Sequence, residues 1–218
     1  MPSTTYEPNA TGLVLIDTVN DIFSENGKGY SLFKDEFARI GVLDNLVRLL
    51  AGARERKMPI FFCPMSYTEE DFTTWKHLSG IHQEMYEKRL FEAGSWGADF
   101  HPQLGPRPGE ITITPHKNID VIANTDLDVQ LRQHGVEYVA IGGMIGTLCV
   151  ESTVRSAMER GYHVTTFTDA TAAIGGEDVH EAMVQRYRMI SHATLDVDGF
   201  LAATAKSARP PGVAAERS

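Results

Sequence analysis

Runs of apolar and β-branched residues alternate along this chain with stretches in which apolar residues recur every three or four positions. The runs cover residues 12–16, 60–63, 111–114, 136–142, 162–167 and 192–196. A short run of this kind is typical of a strand that is buried on both faces of a sheet. The pattern therefore predicts six strands, the last of them short.

The residues between these runs have helical spacing. Leu43, Leu46 and Leu50 share one helix face, and Thr125 is placed to cap a helix that ends near Gly135. Further helices are predicted from Cys149 to near Gly161, over residues 177–189, and around Phe200 and Leu201.

Alternation of strands and helices predicts an α/β fold, a three-layer α/β/α sandwich around a parallel, roughly six-stranded sheet. We expect one domain over residues 11–204, with flexible termini at 1–10 and 205–218. In such folds, ligands bind outside the carboxyl ends of the strands. Reactive side chains at those ends are therefore the candidates for function.

Residues 65–110 do not follow the alternation. The segment is rich in aromatic residues, glycine and proline and has little periodicity. It is expected either to line a pocket or a subunit interface, or to form a surface excursion packed by its own aromatic rings. Phe23, Trp75 and Trp96 are candidate pocket walls, with an ordinary core or interface role as the alternative for each.

Composition and charge narrow the class of partner. The 218 residues carry a formal net charge of −9, which argues against a nucleic acid or an anionic membrane as the main partner. No apolar run approaches a membrane span, and the first residues lack the pattern of a signal peptide. With only Cys63 and Cys149 in the chain, a reducing cytoplasm is the expected compartment.

Common cofactor and metal motifs are missing. The histidines form no H-E-x-x-H pattern, G-x-G-x-x-G does not occur, and the sequence GGMIGT lacks the lysine of a phosphate-binding loop. No G-x-S-x-G elbow indicates a serine nucleophile. The sequence therefore predicts no metal ion and no cofactor.

Three polar residues fall at predicted strand ends, namely Asp17, Lys117 and Cys149. Cys149 opens a helix after a glycine-rich turn, where unpaired N–H groups favour a thiolate and can hold an oxyanion. Asp17 can act as general base and acid, and Lys117 can stabilise the thiolate and keep Asp17 ionised. The alternatives are a buried inert thiol, a helix-capping carboxylate and a solvated lysine.

Several segments carry a resemblance to a known family. LIDTVNDIF, the lysine after the third strand, and GGMIGTLCVESTVRSAMERGYHV followed by TDATAA resemble the isochorismatase-like cysteine hydrolases, over about residues 11–202. The resemblance implies a triad of Asp17, Lys117 and Cys149, and an oxyanion hole built from the backbone N–H groups of Ile145 and Cys149. It also implies a cis peptide bond between Met144 and Ile145.

Departures from the family pattern narrow the expected activity. CPMSYTEEDF lacks the metal-binding Asp-x-His of nicotinamidases, and isochorismatases proper do not keep the cysteine that stands here at 149. The amide, ureido and lactam branch of the family remains. It implies a metal-independent hydrolase of C–N bonds in small molecules, working through a thioester, in a homo-oligomer such as a dimer or tetramer. The alternatives are a vinyl-ether hydrolase and a non-catalytic module that retains the fold.

Overall fold

The computed structural model describes residues 5–204. Its sheet is six-stranded and parallel, in the order β3-β2-β1-β4-β5-β6. The strands are β1 Thr11–Ile16, β2 Ile60–Cys63, β3 Ile111–Thr112, β4 Tyr138–Gly143, β5 His163–Thr171 and β6 Ala193–Leu195. These bounds confirm the predicted parallel α/β sheet.

The helices are α1 Asn20–Phe23, α2 Lys34–Ile40, α3 Val42–Glu55, α4 Glu69–Thr74, α5 Gly80–Glu87, α6 Leu127–Gln133, α7 Glu151–Glu159, α8 Glu177–Ile190 and α9 Val197–Thr204. Helix α3 packs against α9, and both contact β5. Helix α7 packs against α8, and these two helices contact β5 and β6, respectively. Within residues 5–204, no helix has the length and apolar character needed to cross a bilayer.

Strand order reverses between β1 and β4. The chain runs outward from β1 through β2 to β3, and then returns to β4 on the other side of β1. Right-handed crossovers on the two sides of this point lie on opposite faces of the sheet and leave a crevice between the two loops. All six residues of β1 are buried, so this switch point lies at the centre of the molecule.

The segment between β2 and β3 folds over the carboxyl ends of these strands. Isolated bridges join Met65 to His116 and Val19 to Phe100. Its aromatic residues form a cluster in which the Tyr67 ring meets the rings of three neighbours at centroid distances of 5.3 to 6.0 Å. These neighbours are Phe72, Trp75 and Tyr86.

The N-terminal segment differs from expectation over residues 5–10. Tyr6 is buried, and its hydroxyl is 2.8 Å from the hydroxyl of Thr165 on β5. Its ring also packs on Phe200, so one aromatic side chain anchors this segment to the core. Residues 1–4 and 205–218 lie outside the described residues.

Candidate active site

Asp17 and Cys149 come from the two strands at the switch point. Asp17 directly follows β1, and Cys149 lies in a turn, Gly146–Val150, between β4 and α7. Ile16 and Gly143 are paired in the sheet, so the two loops start side by side. Both side chains are buried, and they lie close enough for the Asp17 charge to raise the pKa of the Cys149 thiol, in addition to the effect of burial.

Asp17 has an uncommon backbone conformation. Its φ of +53° lies in the left-handed region, which aspartate tolerates better than most residues. The Asp17 N–H donates at 3.0 Å to the carbonyl of Cys63, the last residue of the neighbouring strand β2. Strained backbone of this kind concentrates at functional sites.

Glycines let the turn before Cys149 run close to its surroundings. Gly143 has φ +110°, and a Cβ at this position would lie 2.1 Å from the Ile16 carbonyl oxygen. A Cβ at Gly146 would lie 2.2 Å from the Met183 sulfur. The peptide bond between Met144 and Ile145 is cis, which confirms the prediction from the resemblance.

Two backbone groups affect the pKa of the Cys149 thiol. They belong to Ile145 and to Cys149 itself, and both lower the pKa of the thiol. Burial has a larger and opposite effect, and the Asp17 charge adds to it, so the pKa of Cys149 is raised well above its ordinary value. The resting group is therefore a neutral thiol beside the Asp17 carboxyl group, whereas the start of a helix alone favours a thiolate.

His116 is the residue at this site that sequence reasoning missed. Its Nε2 lies 2.9 Å from Asp17 Oδ1, and its Nδ1 lies 2.6 Å from the Asn118 carbonyl oxygen. The same Asp17 oxygen accepts the Met65 N–H at 2.8 Å. The imidazole side chain is only 1% exposed, so these contacts take place away from water.

Lys117 is not where the sequence prediction placed it. Its ammonium forms an ion pair with Asp71, its side chain is 36% exposed, and its nitrogen lies 5.9 Å from the centre of the Tyr67 ring. The contact with Asp17 that we expected from Lys117 is made by His116.

The register of β3 explains this correction. Phe62 pairs with Thr112, and the next bridge joins Met65 to His116. Between these two bridges, the segment from Phe62 to Met65 advances by three residues and the segment from Thr112 to His116 by four. The second segment therefore contains one extra residue. An inserted residue reverses which side chains point inward. Strict alternation from Ile111 and Ile113 would have turned residue 117 inward, whereas the insertion turns His116 inward.

The three candidate pocket walls have different surroundings. Phe23 is buried and stacks on Phe37 at 5.0 Å, beside a cavity of about 450 Å³ whose lining does not include Asp17 or Cys149. Trp96 is 52% exposed. Trp75 packs on Tyr67, whose phenol has its pKa raised by burial, by the neighbouring Tyr86 and by the charge of Asp17. Of the three candidates, Trp75 is therefore the one that contacts a residue close to Asp17.

Known proteins resemble this chain in sequence and in fold. Ureidoacrylate amidohydrolase RutB from Serratia proteamaculans is 25% identical over 207 residues, which covers 89% of this chain and 83% of the relative. A cysteine hydrolase from Pseudomonas syringae pv. phaseolicola shares the fold with a TM-score of 0.79 at 16% identity, covering 95% and 100% of the two chains. N-carbamoylsarcosine amidase from Thermoplasma acidophilum also shares the fold, with a TM-score of 0.68 at 19% identity. The match covers 93% of this chain and 99% of the amidase.

The family comparison covers most of the chain. The family model of the isochorismatase domain matches residues 11–197, from the first residue of β1 to the start of α9. It therefore includes both strands of the switch point and the segments that carry Asp17, His116 and Cys149. This chain belongs to the isochorismatase family of hydrolases.

Proposed function

We propose that this protein is a cysteine-dependent hydrolase that cleaves a C–N bond in a small amide, ureido compound or cyclic amide. One observation carries the proposal: Asp17 and Cys149 are both buried, and they follow two strands that pair side by side at the switch point. A base and a nucleophile thus lie on neighbouring loops.

In the first half of the proposed reaction, Asp17 takes the thiol proton and the Cys149 sulfur attacks the carbonyl carbon. The N–H groups of Ile145 and Cys149 hold the oxygen as it becomes negative. The C–N bond then breaks, and Asp17 gives its proton to the leaving nitrogen. An amine leaves, and the acyl group stays on the sulfur as a thioester.

In the second half, water replaces the amine. Asp17 is again a carboxylate, so it takes a proton from water as the oxygen attacks the thioester carbon. The C–S bond breaks, and the proton returns to the sulfur. The net reaction adds one water to the C–N bond and restores the thiol.

The named relatives support a C–N bond as the target. Ureidoacrylate amidohydrolase and N-carbamoylsarcosine amidase both act on C–N bonds according to their names. A vinyl-ether hydrolase would not need a thiol at this position. The buried thiol beside Asp17 therefore favours the C–N reaction.

A substrate panel tests the proposal. Amides, ureido acids and lactams are screened for release of ammonia or amine, with and without a chelator, and we expect turnover that chelation leaves unchanged. Cys149→Ala should lower the rate by about 10³-fold or more, because the nucleophile is lost. Cys63→Ala is the matched control, since Cys63 is a second buried thiol, in β2. Comparable loss in both variants, or normal rates in Cys149→Ala, would refute the proposal.

A further inference from the structure

We propose that His116 is the positioning residue that holds Asp17 as a carboxylate, in the place that the resemblance assigned to Lys117. The inference rests on the proposed function, since it concerns the base of that reaction. It follows from the hydrogen-bond pattern of one buried ring, and it gives the site a titratable cation where a lysine would carry a permanent charge.

The partners of His116 fix its protons. A carbonyl oxygen only accepts hydrogen bonds, so Nδ1 must carry a proton to bond the Asn118 carbonyl at 2.6 Å. At Nε2 the partner is Asp17 Oδ1, which also accepts the N–H of Met65. As a carboxylate oxygen, Oδ1 has one lone pair for the Met65 N–H and a second for an N–H at Nε2, and this is the arrangement that we infer. The pair is then an imidazolium and a carboxylate.

The surroundings favour the charged ring. Burial alone would lower the pKa of His116, but the Asp17 charge and hydrogen bond, the Asn118 carbonyl and the Asp120 charge outweigh it and raise the pKa. Cys149 and Cys63 also lie within electrostatic range of Asp17, and burial raises the pKa of both thiols. Lys117, the next residue, forms its ion pair with Asp71.

Loss of the proton would disable the base. A neutral His116 keeps its Nδ1 proton for Asn118 and turns the Nε2 lone pair towards Asp17. A carboxylate facing a lone pair must either rotate away or take up a proton, and both outcomes remove the acceptor for the thiol proton. Activity should therefore be lost as the pH rises through the raised pKa of His116.

The stability of the protein should change with pH in the same direction as its activity. A group whose pKa is raised on folding stabilises the protein fully below its unfolded pKa, and this stabilisation disappears as the pH rises through the folded value. A lysine at position 116 would stay charged over this range.

Variants of His116 test the inference through the pH profile. Under the inference, His116→Gln lowers kcat/KM by about 100-fold or more, since glutamine carries no charge. His116→Lys recovers activity relative to His116→Gln and moves the alkaline limb to higher pH. Lys117→Gln should lose at least tenfold less activity than His116→Gln. The matched control is His134→Gln, since His134 is an exposed histidine whose Nδ1 also faces a carbonyl, that of Gln130.

An experiment without substrate separates this inference from the proposed function. Nuclear magnetic resonance of isotope-labelled histidine in the intact protein should show both nitrogens of His116 protonated at neutral pH. Asp17→Asn should lower the pKa of His116, because the neighbouring charge is removed. A neutral His116 at pH 7, or the same alkaline limb in His116→Lys and the wild type, would overturn the inference even if Cys149 is the nucleophile. Failure of Cys149→Ala to lose activity would overturn the proposed function instead.

Discussion

Asp17 combines opposing demands at a single residue. It is buried, adopts a left-handed backbone conformation and accepts hydrogen bonds from the Met65 N–H and from His116. These contacts fix the orientation of the side chain that we propose as the general base. The negative charge of Asp17 raises the pKa of Cys149 and so keeps the thiol protonated until substrate arrives.

Asp17→Asn should therefore change two measurable quantities, the rate of turnover and the pKa of the Cys149 thiol. Turnover should fall by about 10²–10⁴-fold, because the amide cannot accept the thiol proton. The pKa of Cys149 should fall towards its ordinary value, because one of the causes that raise it is removed. Alkylation of Cys149 in a Cys63→Ala background, followed as a function of pH, gives the second quantity. Slower alkylation at every pH would contradict this account of Asp17.

Individual residues also mark where sequence reasoning ends. Asp17 and Cys149 were identified because each follows a strongly apolar strand, and these two strands, β1 and β4, are neighbours in the sheet. His116 was not identified, because its inward orientation depends on one extra residue between Thr112 and His116. Pattern alone does not reveal such an insertion, although a proline directly before His116 is consistent with a break in the ladder.

At the scale of elements, the buried strands β1 and β2 were predictable and the short helices between β2 and β3 were not. Strands β1 and β2 are buried runs, and their predicted bounds agree with the structure to within one residue. Helices α4 and α5 were missed because aromatic residues replace helical periodicity there. A local signal was nevertheless present: Thr68 and Asp71 form a capping box at the start of α4, a pattern readable from their spacing.

The turn between β4 and α7 gives a prediction at the same scale. Gly143→Ala should destabilise the fold by about 2 kcal/mol or more beyond the cost of a positive φ, because its Cβ would overlap the Ile16 carbonyl. Gly161→Ala is the matched control, since Gly161 has φ +86° but no atom within 4 Å of a Cβ. Urea unfolding of both variants measures the difference. Equal stability would show that the turn tolerates a side chain.

At the scale of the whole molecule, the fold brings the candidate site to one point of the sheet. The six parallel strands reverse order between β1 and β4, and the Asp17–Cys149 pair lies at this switch point. Alternation of strands and helices was sufficient to predict that the carboxyl edge matters. It was not sufficient to predict how residues 65–110 cover it, since those contacts depend on aromatic packing between residues distant from the sheet.

Self-association remains a prediction at this scale. Large apolar side chains are exposed on separate elements, among them Trp96 at 52% and Met189 at 84%. Exposed apolar groups of this size are enriched at interfaces between subunits. Light scattering at micromolar concentration should give the mass of a dimer or tetramer, and Met189→Lys should shift this mass downward if α8 lies in the interface. A monomeric mass for the unmodified protein would contradict the prediction.

The most direct measurement of the central claim is the mass of the protein during turnover. Rapid acid quenching of the reaction with an active substrate from the panel, followed by mass spectrometry, should show the protein heavier by one acyl group. Peptide mapping should place that group on Cys149 and not on Cys63. Under this account, Cys149→Ala shows no added mass. An acyl group on another residue, or its appearance in Cys149→Ala, would contradict catalysis by the Cys149 thiol.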